Sequence, residues 1–187
     1  MDIKMPKNKI ALACDPWGYE LKEILKVWLE TEKNAEVIID LVHAPGAGQP
    51  SGNEQAKAVC EAIQRDQCRL AIMICGTGVG FAMVANMYWG IRAANVSDMY
   101  TAERSRKSQN AQVLTIGAWN LAPEKAKKVV SAWYDEPFDW GRKSSVINLG
   151  GFLEMNNALL VRPDWVAWSM GFSPEDQGVW HYPAAGQ

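Results

Sequence analysis

The chain has 187 residues, of which 48% are hydrophobic and 21% charged, and a formal net charge of −2. That length is enough to bury a core within one main domain, and the charge balance leaves no electrostatic footprint for nucleic acid. No apolar run approaches the roughly 20 residues that span a bilayer. The opening "MDIKMPKNK" lacks the apolar stretch of a signal peptide. The four cysteines, Cys14, Cys60, Cys68 and Cys75, fall in or near apolar segments without a CxxC pair, so the expectation is reduced thiols in a cytoplasmic protein.

Short apolar strands alternate with amphipathic helices. "KIALAC" (9–14) reads as a strand, and "YELKEILKVWLE" (19–30) places Leu21, Ile24, Leu25, Trp28 and Leu29 on one helical stripe. "AEVIIDL" (35–41) is a second strand. After a loop rich in Gly and Pro (44–52), "NEQAKAVCEAIQR" (53–65) gives a second helix. "LAIMIC" (70–75) is the third strand, and "GTGVG" feeds a third helix. "IRAANV" (91–96) and "QVLTIGA" (112–118) are two more strands, separated by the helical "DMYTAERSRKSQ" (98–109). "APEKAKKVVSAWYDE" (122–136) is an amphipathic helix with a proline in its first turn. Strand and helix alternating five times predict a three-layer α/β sandwich, a five-stranded parallel sheet with helices on both faces. Ligands on such sheets sit at the carboxyl ends of the strands, near the switch in strand order. Cys14-Asp15 and Cys75-Gly76 both fall at such ends.

The chain changes character after about Phe138. Residues 150–187 carry three tryptophans, scattered Gly and Pro, and no repeating βα unit. This stretch is too short for a core of its own and too aromatic for a disordered tail. The expected organisation is a main domain over 1–145 and an aromatic C-terminal extension over 146–187. The extension is expected to pack on that domain or across to a partner subunit, closing one side of the partner's pocket.

"AIMICGTGVGFAMVAN" (71–86) places a cysteine at the mouth of a glycine-rich turn. A strand, a tight turn and a helix start gather backbone N–H groups around one point. That geometry suits a phosphate, a carboxylate or an enediolate.

Three segments, "KIALACDPWGYELKEILKVWL", "ICGTGVGFAMVANMYWGIRAANVSDMYTAERSR" and "QVLTIGAWNLAPEKAKKVVSAWYDEPFD", resemble in order and spacing the type B ribose-5-phosphate isomerase and galactose-6-phosphate isomerase subunit family. The resemblance covers residues 9 to 145. Its core, C-G-T-G-x-G followed by A-N and G-I-R-A, is far more specific than a lone glycine motif. It implies a Rossmann-like fold, no nucleotide cofactor or metal, and a homodimer, or a tetramer, with the active site at the subunit interface. It also implies interconversion of aldoses and ketoses through a cis-enediolate, with Cys75 as the base between C1 and C2. The chemistry of the residues agrees. A free thiol has a pKa near 8.5, lowered beside a helix N-terminus, and enolisation needs a base on one face and donors for the developing oxyanion. Backbone N–H groups of Gly76, Gly78, Val79 and Gly80, with the Thr77 hydroxyl, would hold the enediolate. Asp15 matches the family aspartate of "DxxGxxLK" and would orient a substrate hydroxyl or cap the following helix.

The departures from the family pattern are specific. Pro16 and Trp17 follow the aspartate in place of a histidine-containing stretch, and Ser108 and Gln109 replace the histidine and asparagine after "SR". Serine cannot shuttle a proton at neutral pH as imidazole does. Trp119 replaces an arginine; Arg142 keeps one phosphate-contacting position, but the position four later is Val146. Trp17, Trp119 and Trp140 stand where relatives bind ligand, and indole faces stack on sugars without charge. The expectation is therefore a small-carbohydrate isomerase whose substrate is unphosphorylated or differently anchored. The alternatives are a partner-dependent or non-catalytic sugar-binding subunit, or an epimerase using the same enolisation. Arg92 and Arg106 match the family, each with a structural reading beside the functional one, and Asn86 reads as a brace for the glycine loop. His43 and His181 fall at no catalytic position, and with no spaced acidic partner they give no metal signal.

Overall fold

The computed structural model describes residues 8–42 and 50–161, with side chains to residue 155. His43, His181, most of the Gly/Pro loop and the stretch 162–187 lie outside the described residues. The elements are β1 (Asn8–Cys14), α1 (Tyr19–Glu32), β2 (Ala35–Val42), α2 (Gly52–Gln64), β3 (Leu70–Cys75) and α3 (Val79–Ala85). They continue with β4 (Ala93–Asn95), α4 (Met99–Lys107), β5 (Val113–Gly117), α5 (Pro123–Tyr134) and α6 (Lys143–Val161). The five strands form one parallel sheet, as the alternation predicts, and its order is β2-β1-β3-β5-β4.

That order dictates the layers. The chain steps outward from β1 to β2, then returns across β1 to β3, so right-handed crossovers put α1 and α2 on opposite faces. One core accordingly joins Leu25, Leu29, Val129 and Trp133 of α1 and α5 to Ile10, Leu12, Ile72 and Ile74. The other joins Val59, Cys60, Phe81 and Ala85 of α2 and α3 to Ala11, Ala13, Ala71 and Met73. The reversal also makes the crevice between the carboxyl ends of β1 and β3 the topological switch point.

Local chemistry sets the helix starts. Ser51 and Glu54 form a capping box on α2, and Pro123 opens α5. A single 3-10 turn over Pro16–Gly18 precedes α1, capped by Asp15. Ile24, placed on the buried stripe from the sequence, stands at its exposed edge, while Lys22 is wholly buried. Lys22 survives there because Asp40 and Glu23 pair with its ammonium. α6 is an element that the sequence reading does not anticipate, and it runs continuously through residues 145 and 146. Only Leu149 and Ser145 of its described side chains are buried, while Ile147, Leu153 and Met155 are exposed.

Candidate active site

Three loops converge at the carboxyl end of β3. The loop after β1 lies directly on the strand end: Asp15 N–H donates to the Ile74 carbonyl at 3.1 Å. A Cβ on Gly18 would stand 2.3 Å from the same oxygen, so this approach requires glycine. The loop after β5 is stitched to the glycine turn, with Ala118 N–H on the Cys75 carbonyl at 2.8 Å and Trp119 N–H on the Gly76 carbonyl at 3.0 Å. This brings Asp15, Trp17, Cys75, Gly76, Thr77, Gly78 and Trp119 together, as the sequence reading has it.

Cys75 stands apart from the other three cysteines. It is half-buried, whereas Cys14, Cys60 and Cys68 are buried. Its Sγ accepts the Gly78 N–H at 3.0 Å. Burial pushes the Cys60 thiol up to about 12 and the Cys68 thiol up to about 11, so neither forms a thiolate at neutral pH. Gly78 holds φ +80°, and a Cβ there would lie 2.3 Å from Asn95 Oδ1 and 2.9 Å from the Ile116 carbonyl carbon. The left-handed turn that aims its N–H at the sulfur is thus wedged from below. Asn95, at the end of β4, is the contributor that the sequence reading misses; its Oδ1 also meets the Thr115 hydroxyl at 3.4 Å. Thr77, Val79 and Gly80 are exposed at the mouth of the turn, and Thr77 Oγ1 accepts from Val79 N–H at 3.4 Å.

Asp15 caps the 3-10 turn through Oδ1, which accepts the Gly18 N–H at 2.9 Å. Its other oxygen has no hydrogen-bond partner among the described residues, so capping leaves one acceptor for a ligand hydroxyl. Trp17 and Trp119 meet edge to face, 5.6 Å between centroids at 67°. Trp119 packs flat enough on the turn that a Cβ at Gly76 would stand 2.8 Å from its ring. Both indoles are 65% exposed, forming an open aromatic shelf beside Cys75.

The remaining positions lie elsewhere. α4 returns from the carboxyl to the amino end of the sheet, and Ser108 and Gln109 follow it. They sit about 13 Å of strand away from Cys75 in the same chain. Ser108 is buried and accepts from Arg104, while the Gln109 side-chain oxygen is buried without a partner among the described residues. Trp140 and Arg142 join them at that end, since Asp139 N–H donates to the Lys107 carbonyl at 3.1 Å. Trp140 packs edge to face on Phe138, and Arg142 Nε donates to Ser144. Asn86 braces β4 rather than the glycine turn, pairing with both the N–H and the carbonyl of Ala93 at 2.9 Å. Among the described residues no cluster of His, Cys, Asp and Glu is arranged to hold a metal ion, and no helix is long and apolar enough to cross a membrane.

The family described as Ribose/Galactose Isomerase matches residues 10–149. A ribose-5-P isomerase B of Listeria innocua is 38% identical over 149 residues, covering 80% of this chain and 99% of that protein. A D-erythrulose-4-phosphate isomerase of Pectobacterium atrosepticum is 34% identical over 145 residues, covering 78% and 94%. The solved structure of Leishmania infantum type B ribose 5-phosphate isomerase superposes with a TM-score of 0.72 at 28% identity, over 82% of this chain and 99% of that one. A Rossmann-like sheet with a cysteine-bearing glycine turn at its switch point, matched over this span, makes the chain a member of the ribose/galactose isomerase family and an aldose–ketose isomerase.

Proposed function

We propose that this isomerase acts on a small sugar or sugar derivative by moving one proton through a cis-enediolate, with Cys75 as the base. The observation that carries this reading is the Cys75 sulfur, half-buried at the switch point and accepting the Gly78 N–H at 3.0 Å. The thiolate takes the proton from the hydroxyl-bearing carbon beside the carbonyl, and the C–H electrons pass into the enediolate. The Gly78 N–H stays on the sulfur and the Val79 N–H on Thr77 Oγ1, so the remaining N–H groups of the 76–80 turn and the Thr77 hydroxyl serve the oxygen where charge develops. The resulting thiol returns the proton to the neighbouring carbon, while a proton shifts between the two oxygens. Nothing is oxidised or reduced overall, so no co-reactant is consumed. The free oxygen of Asp15 holds a substrate hydroxyl.

The Trp17–Trp119 shelf stands beside the base, and the cationic Arg142 lies at the other end of the chain's own sheet. The shelf supports a substrate held by stacking, unphosphorylated or anchored otherwise than through an arginine pair. The separation of Arg142 from Cys75 supports a dimer in which Ser108, Gln109 and Arg142 of one copy meet the Cys75 turn of the other. The exposed apolar residues of α6, Ile147, Leu153 and Met155, provide surface for that contact. The test is turnover of tetroses to hexoses, free and phosphorylated, followed by NMR. Free sugars should equal or exceed their phosphates in kcat/KM, and Trp119→Arg should shift preference toward the phosphates. Strong phosphate preference in the wild-type protein would overturn the anchoring.

A further inference from the structure

A polar cavity, about 740 Å³ in volume, opens at the amino end of the sheet beneath β1, β3 and β5. It is bordered by three guanidinium groups, Arg69, Arg92 and Arg106. Arg106 is more than nine-tenths buried. Its Nη1 donates to Asn110 Oδ1 at 3.1 Å and to the Ala111 carbonyl at 2.9 Å, and its Cζ lies over the Trp133 ring, 5.9 Å from the centroid. Its Nε–H is buried with no acceptor among the described residues. Arg92 spends Nε and Nη1 on the backbone carbonyls of Gln109, Asn110 and Gly90. Among the described residues none of the three arginines pairs with a carboxylate. The acidic groups on the cavity wall are engaged elsewhere or stand alone: Asp135 with Lys33, Glu136 with Lys107, and Asp66 on its rim. Burial, with the like charges of Arg69 and Arg92, pulls Arg106 down to about 10, which still leaves it cationic at neutral pH.

A buried guanidinium with an unused donor, paired with no carboxylate and lining the cavity with two like charges, is costly unless an anion completes it. The candidate sugar site at the far end of the sheet uses none of these three groups. The geometry points to a binding site here for a small phosphomonoester, its phosphate held by Arg106, Arg92 and Arg69. Planar forks suit phosphate oxygens bidentately. The volume lies in the range of small-metabolite pockets, and Trp140 offers a wall for the organic part. The same arginines grip residues 109–111, next to Ser108, so an occupied site would stiffen the segment that the dimer reading brings to the partner's base. The site itself stands whether or not that reading does.

Inorganic phosphate is the probe, titrated into the full-length protein at constant ionic strength against chloride. A saturable shift of the Arg106 Nε–H resonance, assigned by its loss in Arg106→Lys, is expected in 15N spectra. Calorimetry should show this binding weakened about tenfold or more in Arg69→Gln, whose side chain is exposed and whose basal turnover should be unchanged. Binding should persist in Arg142→Gln and Cys75→Ala. No saturable shift, or full-strength binding in Arg69→Gln, would overturn the site. Loss of binding in Arg142→Gln or Cys75→Ala would place the anion at the sugar site and overturn it equally.

Discussion

At the scale of single residues, what distinguishes Cys75 is its surroundings rather than its chemistry. Three other thiols are buried, and burial, joined at Cys60 by the charge of Glu61, drives Cys60 and Cys68 well above the neutral range. Iodoacetamide at pH 8 should therefore label Cys75 alone in the folded protein, and mass spectrometry should find no adduct on Cys75→Ala. That variant should keep its fold and lose turnover by about 10²–10⁴. Cys75→Ser should lose nearly as much, because a hydroxyl does not ionise at neutral pH. Near-normal kcat in Cys75→Ala would remove the thiol as base. Gly78 is the second residue on which the site depends. With φ at +80° and Asn95 and Ile116 directly beneath it, Gly78→Ala costs about 1–2 kcal/mol in backbone conformation, before the clash is relieved. A thermal melt unchanged by that substitution would show that the turn yields more readily than its contacts suggest. The sequence makes Cys75 and its glycines legible because a strand end, a turn and a helix start are local features. Asn95 is not legible, because its contact with Gly78 exists only once β4 lies beyond β5.

At the scale of elements, hydrophobic periodicity carries most of the fold: ten strands and helices fall where the alternation places them, and their ends differ by a few residues. α6 escapes that reading because Gly150 and Gly151 interrupt it and its apolar residues form no single stripe. Lys22 escapes it for a different reason. A charge in a helical stripe reads as solvated, yet here α1 brings Lys22 and Lys26 onto Asp40 at the carboxyl half of β2. Burial raises the Asp40 carboxyl, but hydrogen bonds from the two ammonium groups outweigh it and hold the group below its ordinary value. Burial likewise pulls Lys22 down, and its bonds to Asp40 and Glu23 leave it net raised. A carboxyl whose folded pKa is depressed contributes stability that is complete above its unfolded pKa, near 4, and is lost as pH falls through the folded value. Asp40→Asn should thus cost about 1–3 kcal/mol at pH 7, measured by urea unfolding, and the difference from wild type should close in acid. A gap that stays constant down to pH 2 would show that the pair contributes shape rather than charge.

At the scale of the whole molecule, the residues expected at one site divide between the two ends of a single sheet. Asp15, Trp17, Cys75 and Trp119 stand at the carboxyl end, and Ser108, Gln109, Trp140 and Arg142 at the amino end. The division is implicit in the alternation itself, because every helix after a strand must return the chain to the end where the strand began. No motion of a loop closes that separation, which is a strand length of packed core. On the proposed dimer a two-fold partner would close it, since one isologous contact would bring each amino end to the other's carboxyl end and make two equivalent sites. The prediction is complementation. Cys75→Ala spoils the carboxyl-end half of both sites, and Gln109→Ala with Arg142→Ala spoils the amino-end half. Each homodimer should be inactive or severely impaired. Refolded together in equal amounts, half the dimers are mixed, and each mixed dimer holds one site with both halves intact. Activity should then recover to about a quarter of wild type. If the amino-end variant alone retains full turnover, those residues take no part in the site. If both parents are impaired and the mixture recovers nothing, each site is built within a single chain, and the amino-end residues affect turnover from a distance.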